Sequence, residues 1–309
     1  MYCSSCGKEI VDGSAFCSFC GEKQVVADNT IAFLRTGKEI NSVLRNSFKH
    51  GFELYSITRE DTVPKHAKGC YISTEDSPEK IFLWKSGKGI LSYYTKAKTI
   101  RLNSDSGDMF AMMSELVSID TYGWDVSFVE NAKAMFLNCN CLKWLDMDDW
   151  DFCSLINADN MFSGCKNLNP KGNAFRNSHI QKMDYMFQDV VELLELSLDM
   201  RDVTSAVGVI SRCMMQRLTL KNLNLSKLSP SYSGHIFEGY SSDLILSLEN
   251  MILSKDMSTK QILSELGFKE ERLSYYPKEE NFDNINKAER PITLALELGS
   301  TMNYTVSYT

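Results

Sequence analysis

The chain has 309 residues, 43% of them hydrophobic and 24% charged, the composition of an ordinary globular protein with length for two or three domains. Its formal net charge of -7 argues against phosphate-backbone binding, which needs a basic surface, so nucleic acid is not the expected partner. No apolar run approaches the roughly 18 residues that suggest a membrane span. The opening MYCSSCGKEI lacks the basic and apolar stretches of a secretory signal. Ten cysteines are too sparse for a disulfide scaffold, and four follow a metal-type spacing, so a reducing compartment, the cytoplasm, is expected.

Those four, Cys3, Cys6, Cys17 and Cys20, form two Cys-x-x-Cys knuckles within residues 1–24. Two residues between thiolates let one tight turn present both sulfurs to one tetrahedron edge, and two such turns close a four-sulfur site for one structural zinc ion. Gly7 and Gly21 follow the second cysteine of each pair, where the chain needs positive φ. A peptide this short cannot bury a core unaided, so the metal must hold it. Four protein ligands leave no open coordination position, which excludes a catalytic role for the ion; a redox dithiol or an iron site is the alternative reading of the same ligands. The stretch, with Phe16-Cys-x-x-Cys-Gly at 16–21, resembles the short zinc-ribbon family at the N-termini of many bacterial proteins.

Residues 25–37 have no clear period and read as a linker. An N-terminal α+β capping region is expected over 38–107. In it, Ile40, Val43, Leu44 and Phe48 recur at helical spacing before Gly51, which predicts one amphipathic helix. IFLW at 81–84 and ILSYY at 90–94 flank a turn-rich KSGKG and predict a hairpin, which TIRL at 99–102 extends. His50, His66 and Cys70 lack partner motifs and read as satisfied or exposed histidines and a small, partly buried thiol.

Internal repetition dominates residues 108–250. Met-Phe recurs at 109–110, 135–136, 161–162 and 186–187, and Ile236-Phe237 continues the series after a degenerate unit near 211, a spacing of 25 or 26 residues. Leu116, Leu142, Leu168, Leu193 and Leu218 keep a common phase, and Trp124-Asp125 and Trp150-Asp151 keep another. A unit this short cannot close its own core, so stacking of copies is predicted. Residues 142–146 would form a short strand in a parallel ladder, residues 129–135 a short helix on the outer face, and Met and Phe inward rungs. An aromatic-binding stripe is the alternative to packing. Cys139 and Cys165 read as small inward residues, and Asp125 and Asp151 as loop or helix caps rather than paired acid–base carboxylates.

The repeat MF-x-x-C-x-x-L-x-x-L-D followed by W-D-x-S-x-V-x-N resembles the BspA-type leucine-rich-repeat family of bacterial proteins, and residues 38–250 share the likeness. The resemblance implies a leucine-rich-repeat-like solenoid of about six 25-residue units and a role in adhesion, without common catalytic residues. The fold class expected overall is α+β: an N-terminal zinc ribbon, that solenoid and α+β caps. In the C-terminal cap, 251–309, Ser258-Thr-Lys-Gln261 opens a helix that Gly267 stops, and 292–298 with 302–309 form a closing hairpin.

His179 and His235 share no repeat phase and no nucleophile motif accompanies them. The function expected is therefore a non-enzymatic binding or scaffold protein whose repeat surface holds another protein. A nucleic-acid-associated or regulatory factor docking through the ribbon, or a surface adhesion protein, is the alternative.

Overall fold

A computed structural model describes residues 6, 8, 18–21, 30–48, 53–168, 174–175, 177–225, 227–228, 244–251 and 266, and the backbone of 292–297 and 303–308. Strand β1 (Ile31–Phe33) forms inside the stretch read as a linker, with Ala32 fully buried. Helix α1 (Gly37–Asn46) follows at once, set by a capping box that the sequence reading passed over. The Thr36 hydroxyl accepts the Glu39 amide, and the Glu39 carboxylate accepts the Thr36 amide at 3.0 Å. Ile40 and Leu44 bury one face and Phe48 is buried just past the helix end, while Gly51 lies outside the described residues.

Gly37 seats this helix on the first repeat. Its amide donates to the Asp105 carbonyl at 2.8 Å, and a Cβ there would fall 2.1 Å from the Gly107 carbonyl oxygen. The obstacle is backbone, which cannot swing aside. Gly37→Ala is expected to destabilise the N-terminal region by the upper end of about 1–3 kcal/mol, read as a lower urea midpoint at unchanged slope.

Strand β2 (Ser56–Arg59) precedes β3 (Gly69–Tyr71) and the predicted hairpin, β4 (Phe82–Gly87) and β5 (Ile90–Tyr94), which turns through Gly89 at φ +73°. Strand β6 (Thr99–Arg101) does form, but it does not extend the hairpin. It lies parallel between β1 and β8 (Trp124–Asp125) in a separate three-stranded sheet. Strands β7 (Ser118–Ile119) and β9 (Trp144–Leu145) complete a six-stranded mixed sheet of order β3-β4-β5-β2-β7-β9. Cys70, on β3, is exposed rather than partly buried.

The repeated Met-Phe pairs do point inward: Met109, Phe110, Met135, Phe136, Met161, Phe162, Met186 and Phe187 are all buried. Their rings stack in file, with centroids 5.3 Å apart for Phe110–Phe136, 5.4 Å for Phe136–Phe162 and 5.7 Å for Phe162–Phe187. Parallel bridges join Asp105, Asn131, Asn157, Lys182 and Ser205 alongside them. The interval is not constant. It is 26 residues between Asp105 and Asn131 but 23 between Asp184 and Val207, so the buried Val209-Ile210 pair takes the Met-Phe place in the degenerate unit. A further contraction, to the 22 residues between Glu195 and Arg217, puts Met215, not Leu218, at the repeat position of Leu193, because Gln216 and Arg217 both donate to the Leu194 carbonyl as Lys143 and Trp144 do to Val117. Ile236-Phe237 lies outside the described residues.

The expected α+β leucine-rich-repeat-like solenoid with outer helices is corrected here. The chain is built mostly of strands in parallel and mixed sheets, and α1 is the only helix among the described residues. Residues 129–135 form a parallel bridge at Asn131 and the start of a turn at 133 instead of a helix. The cause is visible in the backbone: the residue before each Met-Phe pair, Asp108, Ala134, Asn160, Tyr185 and Gly208, has φ between +54° and +60°, and so does the second after it in Asn138, Asp189 and Arg212. Left-handed residues at this frequency interrupt any right-handed helix. Alternate amides bond locally and across units: Met135 donates to Ala132, while Ala134 and Phe136 donate to Asp159 and Met161 of the next unit. No buried backbone donor in this stretch is left over, which is what a helix would otherwise have achieved.

The expected capping role of the repeated aspartates holds for Asp125, at a turn rather than a helix, while Asp151 bonds a side chain of the next unit. Asp125 accepts the Ser127 amide at 3.0 Å and its hydroxyl at 2.6 Å, and pairs with Arg101 at 3.1 Å; Asp151 accepts from Asn177 at 3.1 Å. Burial raises the Asp125 carboxyl, but the Ser127 and Arg101 contacts outweigh it and hold the group below the usual carboxylate value. A depressed folded value contributes stability that is complete above the unfolded value of ~3.9 and disappears as pH falls through the folded one. Unfolding midpoints followed from about pH 5 to pH 2 should therefore drop less steeply in Asp125→Asn than in the parent.

Further along, β10 (Glu195–Asp199), β11 (Arg217–Lys221) and β12 (Ile245–Met251) run parallel. The predicted closing hairpin forms as β13 (Ile292–Glu297) and β14 (Asn303–Tyr308), antiparallel on β12, covering the edge that β12 would otherwise expose. The predicted helix over 259–266 lies outside the described residues apart from Leu266, which is buried.

Candidate functional site

Two regions carry chemistry. In the N-terminal region Cys6 and Cys20 are exposed, Cys20 closing a turn, and Gly21 after it has φ +73° with open space around it, the left-handed residue the knuckle requires. The Lys8 ammonium lies 4.8 Å from the centre of the Phe19 ring, which ties the first knuckle to the second. Cys3 and Cys17 lie outside the described residues. These thiols, the turn and the glycine fit a zinc ion.

The second region is the outward side of β7 and β9, at one edge of the six-stranded sheet. In β7 and β9 the side chains alternate: Ile119 is buried and Leu145 packs on the core, which turns Ser118 and Trp144 outward. Trp144 is 62% exposed. It stands in an open concavity of about 590 Å³ whose walls include Ile119, Met147, Lys143, Asp146, Asp148 and Glu192. The Lys143 ammonium sits 5.1 Å from the Trp144 ring centre, one cation already on the indole.

The surface carboxylates of the repeats fall into two groups. Asp189 pairs with Arg212, Asp199 with Arg201, Asp202 with Lys227, and Glu249 with Lys221. Asp120, Asp146, Asp148 and Glu192 have no ion-pair partner among the described residues. Asp120 and Asp146 follow the paired residues Ile119 and Leu145 on neighbouring strands and repeat the same turn, each accepting the amide two residues on at 3.0 Å. Like charges placed side by side cost stability unless something neutralises them.

Trp144 was legible in the chain only as part of a repeat strand. The informative signal lay in its phase: Ser118 and, further on, Glu195 and Arg217 occupy the equivalent outward position, and polar residues there mark a solvent-facing row. Trp124 and Trp150 behave as the packing reading requires, stacked at 6.3 Å with Trp150 buried.

The three buried cysteines of the repeats are packing groups, while Cys141 and Cys153 are partly exposed. Cys139 donates to the Phe110 carbonyl at 3.0 Å and Cys165 to Phe136 at 3.0 Å, and Cys213, a phase-mate the sequence reading missed, donates to Phe187 at 2.7 Å. Burial pushes the Cys139 and Cys213 thiols up to about 12 and Cys165 well above its ordinary value, which makes them poor nucleophiles and ligands. His179 Nδ1 lies 2.9 Å from Asp202 Oδ2, an exposed pair with no hydroxyl or thiol bonded to the imidazole. His66 is exposed, and His50 and His235 lie outside the described residues. Among the described residues no three His, Cys, Asp or Glu side chains group as a metal site, and no helix is long and apolar enough to cross a membrane.

Comparison with known families divides the chain along the same line. Residues 2–24 match the zinc-ribbon domain, a zinc-binding module, and residues 104–227 match a family described as Mycoplasma protein of unknown function, DUF285. The repeats are thus similar to that family, and the expected likeness to BspA-type leucine-rich repeats is not what the match returns. Neither the curated proteins nor the solved structures provide a match.

Proposed function

We propose that this protein is a non-enzymatic binding or scaffold protein that docks another protein on the outward side of β7 and β9 around Trp144. Residues 2–24 serve as a separate module in which Cys3, Cys6, Cys17 and Cys20 hold one structural zinc ion. When bound, the ion cross-links the two knuckles and supplies no open coordination position. The observation that carries the reading is Trp144 itself, a large aromatic side chain left 62% exposed in a concavity on a sheet whose other face is core. Exposed aromatics of this kind are the usual anchors of protein interfaces. The carboxylates around it favour a protein partner over nucleic acid, whose phosphates they would repel.

The test compares the parent and Trp144→Ala as baits in quantitative capture from lysate of the source cells. Because the side chain is exposed, thermal stability should change by less than about 0.5 kcal/mol. Any specific partner should be depleted by more than tenfold, at least the ~2 kcal/mol of an interface anchor. Equal capture by both baits would overturn the reading.

A further inference from the structure

The exposed face also specifies the chemistry of what covers it. We propose that the occupant is a basic, extended polypeptide segment that turns a row of arginine or lysine side chains to the protein, laid across β7 and β9 with one cation against Trp144. This rests on the proposed docking role and names its partner class.

Three observations converge. The first is the indole: Trp144 projects outward from an edge of the described sheet, and its ring already accepts the Lys143 ammonium, so its face is open to cations. The second is charge. Lys143 is the one cation among the walls named above, against Asp146, Asp148 and Glu192, with Asp120 on the neighbouring strand. None of these four carboxylates has an ion-pair partner among the described residues, so a cation arriving from outside meets no competitor for them. The third is the register of the outward row. Trp144 and Asp146, two apart along one strand, lie beside Ser118 and Asp120 of the neighbour, so an extended segment crossing them meets the indole and two carboxylates on one side. An acidic or phosphorylated segment would meet only repulsion here, and a purely apolar one would bury the carboxylates without partners.

The experiment uses the full chain with zinc and three synthetic peptides of equal length, alternating Arg and Leu, Ser and Leu, or Glu and Leu. Binding is read by protection of tryptophan fluorescence from acrylamide. Trp84 and Trp150 are buried and Trp124 partly so, which leaves Trp144 as the main quenchable indole. The Arg-Leu peptide should bind at least tenfold more tightly than the Ser-Leu peptide, a difference of ~1.4 kcal/mol, and the Glu-Leu peptide should bind least. Raising salt from low to physiological concentration should weaken the Arg-Leu complex, leave the Ser-Leu complex unchanged and relieve part of the repulsion of the Glu-Leu peptide. The variant Asp146→Asn with Asp148→Asn and Glu192→Gln should lose about tenfold in affinity for that peptide alone. Asparagine at 146 keeps the oxygen that accepts the Asp148 amide, so the turn survives; unchanged circular dichroism and melting temperature verify it.

Equal affinity for all three peptides, no binding of the Arg-Leu peptide, or binding indifferent to the triple amide variant would overturn the inference. If Trp144→Ala abolishes partner capture while the triple variant leaves it intact, the docking role stands and the basic occupant falls. If Trp144→Ala leaves capture intact, both fall.

Discussion

Replacing Phe136 by alanine is expected to cost about 3–5 kcal/mol of folding free energy, the largest single-residue effect in the repeats. The ring is fully buried and lies between two others, 5.3 Å from Phe110 at 13° and 5.4 Å from Phe162 at 3°. Removing it takes away the transfer free energy of a buried aromatic and leaves a cavity in the middle of the file. That cavity cannot collapse easily. The units on either side are held at fixed spacing by amide bonds from Phe110 to Met135 and from Phe136 to Met161, and by the Cys165 thiol on the Phe136 carbonyl. Phe136→Leu separates the components, because leucine keeps most of the apolar area and loses the stacking, so it should cost about 1–2 kcal/mol. Urea unfolding followed by far-ultraviolet circular dichroism gives both numbers. A loss below ~1 kcal/mol for the alanine variant would mean that the file is not a continuous core.

How the repeats close was only half legible in the chain. Met-Phe recurrence identified the buried rungs because burial is a property of side-chain chemistry, and the four described Met-Phe pairs lie where the pattern placed them, whereas the contracted fifth unit shifts its rungs to Val209-Ile210 and Met215. The backbone between rungs was not legible from hydropathy. Val129, Ala132 and Met135 sit at helical spacing, yet Ala134 and Asn138 take left-handed φ and the segment turns instead. Asparagine, aspartate and glycine fill many of these positions, Asp108, Asn138, Asn160, Gly164, Asp189 and Gly208 among them, and those residue types tolerate the left-handed region. Their phase-locked recurrence is the signal that decides against helices, and it carries more weight than apolar spacing over seven residues. At the site, residue type misled in the other direction. Tryptophan at a repeat position looks like core, and only the polar phase-mates Ser118 and Arg217 show that Trp144 faces out.

Stripping zinc should unfold residues 2–24 and leave the repeats standing. The ribbon has no core of its own, and metal binding worth on the order of 10–16 kcal/mol in such peptides is at once its folding free energy. The repeats draw on a different source, a file of buried Met, Phe and Leu with thiols bonded to backbone carbonyls. Thiol counting separates the two. With chelator and an aromatic disulfide reagent under native conditions, Cys3, Cys6, Cys17 and Cys20 should become reactive together. Cys139, Cys165 and Cys213 should stay silent until denaturant is added, because burial raises their thiols far above the working pH. Exposed Cys70 should react throughout and serves as the internal reference. Replacing Cys20 by serine removes one ligand and should reproduce the chelated pattern at the ribbon without moving the melting transition of the repeats. If chelation instead releases the buried thiols in the same step, the ribbon and the repeats unfold as one cooperative unit, and Lys8 on Phe19 would no longer mark a self-contained module.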